Sequence, residues 1–322
     1  MPEFSRRDVV VSAGAVSAVL GIQGPMAFIG AAEAQELPAK GQRFSKLKVG
    51  DAELITLYDG IFQKPHADNF IKGVTVEQTK AALKAGGQRT DVVPITFTIP
   101  VVKIGGKTIM FDSGTGGQMA PTAGELSENM KGAGVNPAKV DIIIVTHFHP
   151  DHIFGLMEKG TNKQVYPNAE ILVPAAELKY WTDPAEVAKM PKGRQGLAKR
   201  VAATLPNWKN VRRIEPGVEV VPGITSVAAY GHTPGHTVFS IASGSSQAMV
   251  LADTANVPAL FVSNPEWQVA FDADGPMAIE TRRKLFDQAI AEKAIVAGYH
   301  FGLPGAGRIE KDGKGFAFVP AA

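Results

Sequence analysis

Residues 141–152 read Asp-Ile-Ile-Ile-Val-Thr-His-Phe-His-Pro-Asp-His, and four side chains able to ligate a metal, His147, His149, Asp151 and His152, fall within six positions of this stretch. Imidazole nitrogens and carboxylate oxygens at that density suit a divalent transition metal. The residues just before them, 142–145, are an unbroken apolar run of the kind that forms a short buried strand. If the extended direction persists through the histidines, their spacing of two puts both imidazoles on one side of the chain. Pro150 then turns the chain, so that Asp151 and His152 can face the same point from the next turn or helix start. A solvated polar loop is the ordinary alternative. The apolar strand leading straight into three histidines argues against it.

Composition limits what such a site could serve. A chain of 322 residues with 45% hydrophobic content can bury a full core, as one large domain or two smaller ones. The 33 basic and 31 acidic residues leave a net charge of +2, so the chain as a whole carries no footprint for nucleic acid or for an anionic membrane surface. Small neutral molecules are the default partners. The chain contains no cysteine, which excludes disulfides and every thiolate metal site, so a metal must be held by nitrogen and oxygen.

The first 34 residues read as an address. Ser5-Arg6-Arg7-Asp8-Val9-Val10 carries a twin-arginine pair, residues 9–32 are uncharged and rich in small residues, and Ala32-Glu33-Ala34 is a small-x-small cleavage site. A cleaved signal peptide over 1–34, a mature chain from Gln35 and a periplasmic location are expected, with no stable membrane insertion after cleavage. The uncharged stretch is also long enough to serve as an uncleaved anchor, but Gly24-Pro25 in its middle disfavours that.

The elements that must position the histidines follow in order along residues 35–322, expected to form a single domain. Residues 35–45 read as a linker and 52–58 as the first strand, with Asp59-Gly60 as its turn. Residues 61–94 are too long for an ordinary connection and are expected to form a lid over the site. Within them Thr75 and Gln78 predict a capping box for a helix over 76–85, and His66 reads as an exposed loop residue. Strands at 95–104 and 107–111 flank the hairpin signal Gly105-Gly106, and the second runs into Asp112-Ser113-Gly114. Helical material at 125–132 precedes the histidine-bearing strand. A strand at 169–173, a helix start at 175–181 and broken helix over 184–205 follow it. Residues 211–253 have antiparallel spacing, with strands at 218–221, 224–230, 237–242 and 248–251. Asp274 caps a helix on which Ile279, Arg283, Phe286 and Ile290 recur at helical spacing, and 294–297 is expected as the last core strand. Met119, Phe148, Phe154 and Trp181 are the expected pocket wall. This pattern by itself specifies only mixed α/β.

Thr146-His147-Phe148-His149-Pro150-Asp151-His152 resembles the T-H-x-H-x-D-H signature of the metallo-β-lactamase superfamily. Further on, Gly231-His232-Thr233-Pro234-Gly235-His236 resembles that family's third-histidine motif, Leu251-Ala252-Asp253-Thr254 its bridging-aspartate motif and Ala297-Gly298-Tyr299-His300 its final-histidine motif. The tail, Tyr299-His300-Phe301-Gly302-Leu303-Pro304-Gly305 with residues 313–320, is similar to methyl parathion hydrolase-like members and their quorum-quenching lactonase relatives. The resemblance covers about residues 44–320 and implies an α/β fold, a four-layer αββα sandwich. It implies that His147, His149 and His232 hold one divalent ion, Asp151, His152 and His300 a second, and Asp253 bridges them. Asp151 and Asp253 would act in catalysis with a metal-bridging hydroxide. Zinc is the first expectation for this donor set, and manganese, iron and cobalt also suit it. For Asp112 the family implies a carboxylate orienting a ligand histidine; a plain turn aspartate remains the alternative. His236 is expected to be a structural hydrogen-bonding group rather than a ligand.

The reaction class rests on departures from the family. The absence of cysteine excludes cysteine-liganded lactamases, and His149 stands where flavo-diiron proteins carry an acidic residue. Asn256 occupies the position, three residues after the bridging aspartate, where quorum-quenching lactonases often carry tyrosine, which weakens the acyl-homoserine lactonase reading. The resemblance therefore implies a secreted dinuclear hydrolase of small esters, lactones or phosphotriesters, with a homodimer as its assembly by analogy. The alternative is a non-hydrolytic member, either an iron-dependent sulfur oxygenase or a metal-binding protein without turnover.

Overall fold

The computed structural model describes residues 38–321. The signal peptide read over 1–34 lies outside the described residues. Two seven-stranded sheets hold the chain in sequence order, β1 to β7 across the first and β14 to β8 across the second.

In the first sheet β1 (Phe44–Val49), β2 (Ala52–Lys64), β3 (Val93–Ile104) and β4 (Lys107–Phe111) are antiparallel neighbours, and β5 (Ile142–Ile144), β6 (Glu170–Pro174) and β7 (Val211–Ile214) continue it in parallel. In the second, β8 (Glu219–Val221), β9 (Ile224–Ala228), β10 (Thr237–Ser243) and β11 (Ser246–Ala252) are antiparallel. There β12 (Ile295–Gly298) lies parallel to β11, and the hairpin of β13 (Ala306–Asp312) and β14 (Gly315–Pro320) closes the far edge. Helices α1 (Val76–Ala85), α2 (Leu126–Gly132), α3 (Pro150–Ile153), α4 (Ala175–Thr182), α5 (Pro184–Lys189), α6 (Lys192–Thr204), α7 (Pro258–Phe261) and α8 (Gly275–Ala291) connect the strands.

Strand alternation explains the layering. Ile142 and Ile144 join Phe111, Leu172, Phe239 and Val250 in the core between the sheets, while Ile143 and Val145 enter the larger core beneath the helices. A strand buried on both faces reads as a continuous apolar run, which is why 142–145 carries no polar alternation. The result is the expected αββα sandwich.

Several local expectations change. The chain enters the first sheet at Phe44, inside the stretch read as a linker, because β1 alternates lysines with half-buried residues and has little apolar signal. Asp59-Gly60 is a bulge inside β2, where the register shifts after Tyr58, and not a turn. Gly60 has φ 138°, and a Cβ there would lie 2.3 Å from the Thr122 carbonyl oxygen. Residues 61–64 therefore prolong β2 and 93–94 open β3, leaving 65–92 as the connection. Residues 211–214, read with the antiparallel group, add a parallel strand to the first sheet. Residues 295–298 are not the last core strand, since β13 and β14 follow.

Both cap expectations match the structure. Thr75 and Gln78 form the capping box of α1, and the Asp274 side chain accepts from the Met277 N–H at the start of α8. The buried stripe of α8 is displaced by one residue. Arg282 is 1% exposed while Arg283 pairs with Glu266 at the surface.

Candidate metal centre

Strand ends meet along one edge of the sandwich. Asp112 follows β4, the segment 146–149 follows β5, His232 follows β9, Asp253 follows β11 and His300 follows β12. The strand stops at Ile144, so His147 and His149 sit in irregular chain, while Pro150 opens α3 and places Asp151 and His152 in its first turn. Two of these strand ends carry non-glycine residues at positive φ, Asp112 at 62° and Ala252 at 44°. Such backbone costs about 1–3 kcal/mol and persists where its surroundings hold it, as beside Asp253.

All seven expected donors converge. His147, His149, His232 and Asp253 offer one set of ligand atoms within 4.8 Å of one another, and Asp151, His152 and His300 offer a second. Asp253 lies between the sets. Its Oδ2 is 3.2 Å from His232 Nε2 and 3.1 Å from His300 Nε2, and its Oδ1 is 3.1 Å from His152 Nε2.

Hydrogen bonds at the far nitrogens determine which lone pairs face inward. His232 Nδ1–H donates to Asp272 Oδ1 at 2.9 Å, His152 Nδ1–H to Asp112 Oδ2 at 2.7 Å, and His300 Nδ1–H to the Thr96 carbonyl at 2.7 Å. Asp112 also accepts from the Thr146 N–H and hydroxyl, and His147 Nδ1–H donates in turn to the Thr146 oxygen. Asp112 thus orients the site and is not a plain turn residue. Every Nε2 so oriented presents a lone pair to the interior.

That interior fits a cation. His147 Nε2 and His232 Nε2 stand 3.0 and 2.9 Å from the same His149 Nδ1, which has at most one proton to share. His152 Nε2 and Asp253 Oδ1 are buried without a hydrogen-bond partner. With the imidazoles neutral, acceptors converging in this way are costly unless a proton or a metal cation occupies the space.

The electrostatics agree. Burial holds His147 and His149 well below the ordinary imidazole range. Burial works against charge at His152 too, yet Asp253, Asp151 and Asp112 carry it well above that range. His232 is likewise raised, to about 9, by Asp253 and Asp272 against its burial. Without metal, His232 therefore carries a proton below pH about 9, and an incoming ion must displace it. Metal affinity should rise with pH up to about 9 and fall about tenfold per unit of acidification for each proton displaced. Calorimetry of zinc binding at pH 7 in two buffers of different ionisation enthalpy should show proton release; binding without release contradicts this charge pattern.

His236 is positioned as expected of a structural group. Its Nδ1–H donates to the Ala229 carbonyl at 2.8 Å, and its Nε2 accepts from the Asp253 N–H at 3.2 Å. Burial, with His232 beside it, pushes it down to about 3 and keeps it neutral. His66 bonds the Thr90 carbonyl away from the cluster.

A cavity of about 290 Å³ opens onto His149, Asp151, Asp253 and His300, walled by Phe62, Phe97, Trp181 and Phe271. Met119 and Trp181 line it as expected, but Phe148 and Phe154 do not. Phe148, between two inward-facing histidines, points the other way into the core. The Phe154 ring packs under the Arg200 guanidinium, 4.4 Å from its centroid. Sequence reasoning missed Phe62, Phe97 and Phe271, which strand alternation and a loop bring in from distant positions. It also missed Asp272 and Arg282. Arg282 donates to the carbonyls of Thr254, Pro265 and Trp267 and stands 3.8 Å from Asp272 Oδ2, behind His232.

A model of the Metallo-beta-lactamase superfamily matches residues 99–300. An N-acyl homoserine lactonase of Bacillus sp. is 28% identical over 167 residues, 52% of this chain and 58% of that one, and its Bacillus cereus counterpart is 29% identical over 168 residues. The chain thus spans little more than half the length of these curated relatives. Among solved structures, AidC, a dizinc quorum-quenching lactonase in complex with a product, superposes with a TM-score of 0.77 at 26% identity, covering 88% of this chain and 99% of that one. The hydrolase AbOPH gives 0.80 at 26% identity, covering 87% and 98%. The matched segment takes in all seven donors, beginning on β3 and ending on His300 itself, and the chain belongs to the metallo-β-lactamase superfamily.

Proposed function

We propose that this protein is a dinuclear metal-dependent hydrolase of small esters or lactones, with neutral phosphotriesters as further substrates. One observation carries this reading: two donor sets lie at the floor of an apolar cavity with Asp253 within 3.2 Å of histidines of both. His147, His149 and His232 would hold one divalent ion, Asp151, His152 and His300 the other, with Asp253 between them and zinc the first choice of metal. When bound, such a pair polarises the substrate oxygen and brings the pKa of water to about 7.

The chain's own residues supply the rest. Asp112, Asp272 and the Thr96 carbonyl hold the tautomers that keep Nε2 facing inward. Asp151 lines the cavity and, with its side chain 13% exposed, is the more open of the two carboxylates; its Oδ2 faces His152 and His300, which would leave Oδ1 to hold a proton as the leaving group departs. Tyr299 donates its hydroxyl to the Asp151 carbonyl at 2.6 Å and stacks on His152, fixing both. Phe62, Phe97, Trp181 and Phe271 exclude water and favour an apolar acyl or aryl group. Asn256 also lines the cavity, offering an amide where the related lactonases often carry a phenol.

The test compares kcat/KM for a γ- or δ-lactone and an aryl ester with that for a dimethyl aryl phosphotriester, on protein loaded with zinc or manganese. Lactone or ester should lead by about a hundredfold, near 2.7 kcal/mol of transition-state discrimination. The reverse preference assigns a phosphotriesterase, and inactivity on all three overturns the hydrolase reading. Export by the twin-arginine route is part of the same proposal, supported by Arg6-Arg7 and Ala32-Glu33-Ala34. Periplasmic protein should begin at Gln35; an unprocessed N-terminus in the membrane fraction overturns it.

A further inference from the structure

Glu177 lies in the first turn of α4, fully buried, and no lysine, arginine or histidine side chain stands within ion-pair distance of it among the described residues. Its charge is met by four hydrogen bonds instead. Oε1 accepts from the Phe148 N–H at 3.0 Å and from Trp181 Nε1–H at 2.6 Å. Oε2 accepts from the Thr233 hydroxyl at 2.7 Å and from the Gly235 N–H at 3.0 Å. A buried carboxylate left without these donors would cost several kcal/mol, so the four groups are held to it firmly.

The donors come from three places, and the first two are also linked by a backbone bond from the Thr237 N–H to the Thr146 carbonyl at 3.1 Å. Phe148 sits between His147 and His149, in the segment leaving the first sheet. Thr233 and Gly235 flank the turn between His232 and His236, in the segment leaving the second sheet. Trp181 belongs to the cavity wall, its ring edge-on to His149 at 6.2 Å between centroids. The fit leaves no slack, because a Cβ on Gly235 would lie 2.1 Å from the Glu177 nitrogen. The other half of the centre is supported by Tyr299, the Thr96 carbonyl and Asp112, and only Asp112 also reaches His147, through Thr146.

We infer that Glu177 is a positioning residue of the three-histidine half of the centre, and that it ties that half to the substrate-facing Trp181. The inference rests on the dinuclear reading above. Functional geometry tolerates displacements of only about 0.5 Å, and His147, His149 and His232 reach one point from two different sheets. Glu177 bonds both segments through one side chain.

The test is metal content and stepwise chelator competition on the purified two-ion holoenzyme, for wild type, Glu177→Gln and Thr233→Val, with kcat and KM measured in parallel. The Glu177→Gln amide keeps the shape but opposes N–H donors with its own NH₂. One of the two ions should bind about 10- to 100-fold more weakly while the other holds at its wild-type affinity. KM should rise as Trp181 loses its anchor. Thr233→Val removes one of the four bonds and keeps the carboxylate, and should shift the same ion in the same direction by less. This variant decides the matter if the first does not fold. Unchanged affinity for both ions, or an equal loss at both that tracks a lowered Tm, overturns the inference. A wild-type protein that takes up fewer than two ions overturns the dinuclear reading itself, and the inference with it.

Discussion

Replacing Asp253 with alanine is expected to lower kcat/KM for ester or lactone hydrolysis by about a hundred- to a thousandfold, the range seen when a group stabilising transition-state charge is removed. The size follows from where the carboxylate stands. Its two oxygens lie within 3.2 Å of the Nε2 atoms of His152, His232 and His300, and 3.9 Å from that of His147. Those histidines, against the penalty of burial, hold the Asp253 carboxyl well below the usual carboxylate range, so it is an anion at every working pH. Alanine leaves both donor sets without their shared oxygen ligand. Metal analysis of the variant should show fewer than two ions per chain, and kinetics on the best lactone or ester should show the loss. Wild-type turnover with two ions retained would remove Asp253 from the proposed chemistry.

The largest effect on stability is expected at Arg282. Its guanidinium is buried and donates to the carbonyls of Thr254 at 2.7 Å, Pro265 at 2.7 Å and Trp267 at 2.9 Å, over the Phe261 ring. Arg282→Met fills the space but leaves three carbonyls unpaired and takes away the guanidinium 3.8 Å from Asp272 Oδ2. Breaking such a network costs about 3–5 kcal/mol. At roughly 2–4 °C per kcal/mol, the thermal midpoint should fall by about 10 °C. Asp272 holds the His232 tautomer, and Thr254 adjoins Asp253, so metal affinity should weaken together with stability. Arg282→Lys restores the charge without the planar fork and should recover only part of both. Thermal unfolding of metal-free and metal-loaded protein separates the two effects. A midpoint within about 2 °C of the wild type would falsify the view that these carbonyls depend on the guanidinium.

The chain displays its chemistry more openly than its framework. His147, His149, Asp151 and His152 are close in sequence, so local geometry alone brings them near one another, and the apolar run 142–145 announces a strand buried on both faces. His232, Asp253 and His300 were legible through the resemblance of their surrounding motifs to those of the family. The caps at Thr75 and Asp274 are short-range hydrogen bonds and needed nothing beyond their own neighbours.

Elsewhere the outcome depended on what packed against what. β1 alternates lysines with half-buried residues on an exposed edge, so it resembled a linker until β2 paired with it. The stripe of α8 turned by one residue because carbonyls from 254, 265 and 267 and the Asp272 carboxylate converge where Arg282 can meet them. No hydrophobic period encodes that arrangement. Phe148 seemed as good a pocket residue as Trp181, and only its placement opposite two inward-facing histidines sent it to the core. By itself the sequence determined a mixed α/β chain with a four-donor cluster at 147–152, since local periodicity and residue type carry both, while the sandwich and the three distant donors were legible through the family resemblance of their motifs. Tertiary structure alone decided which buried polar groups orient those donors, because Glu177, Asp272 and Arg282 acquire their roles from partners dozens of residues away.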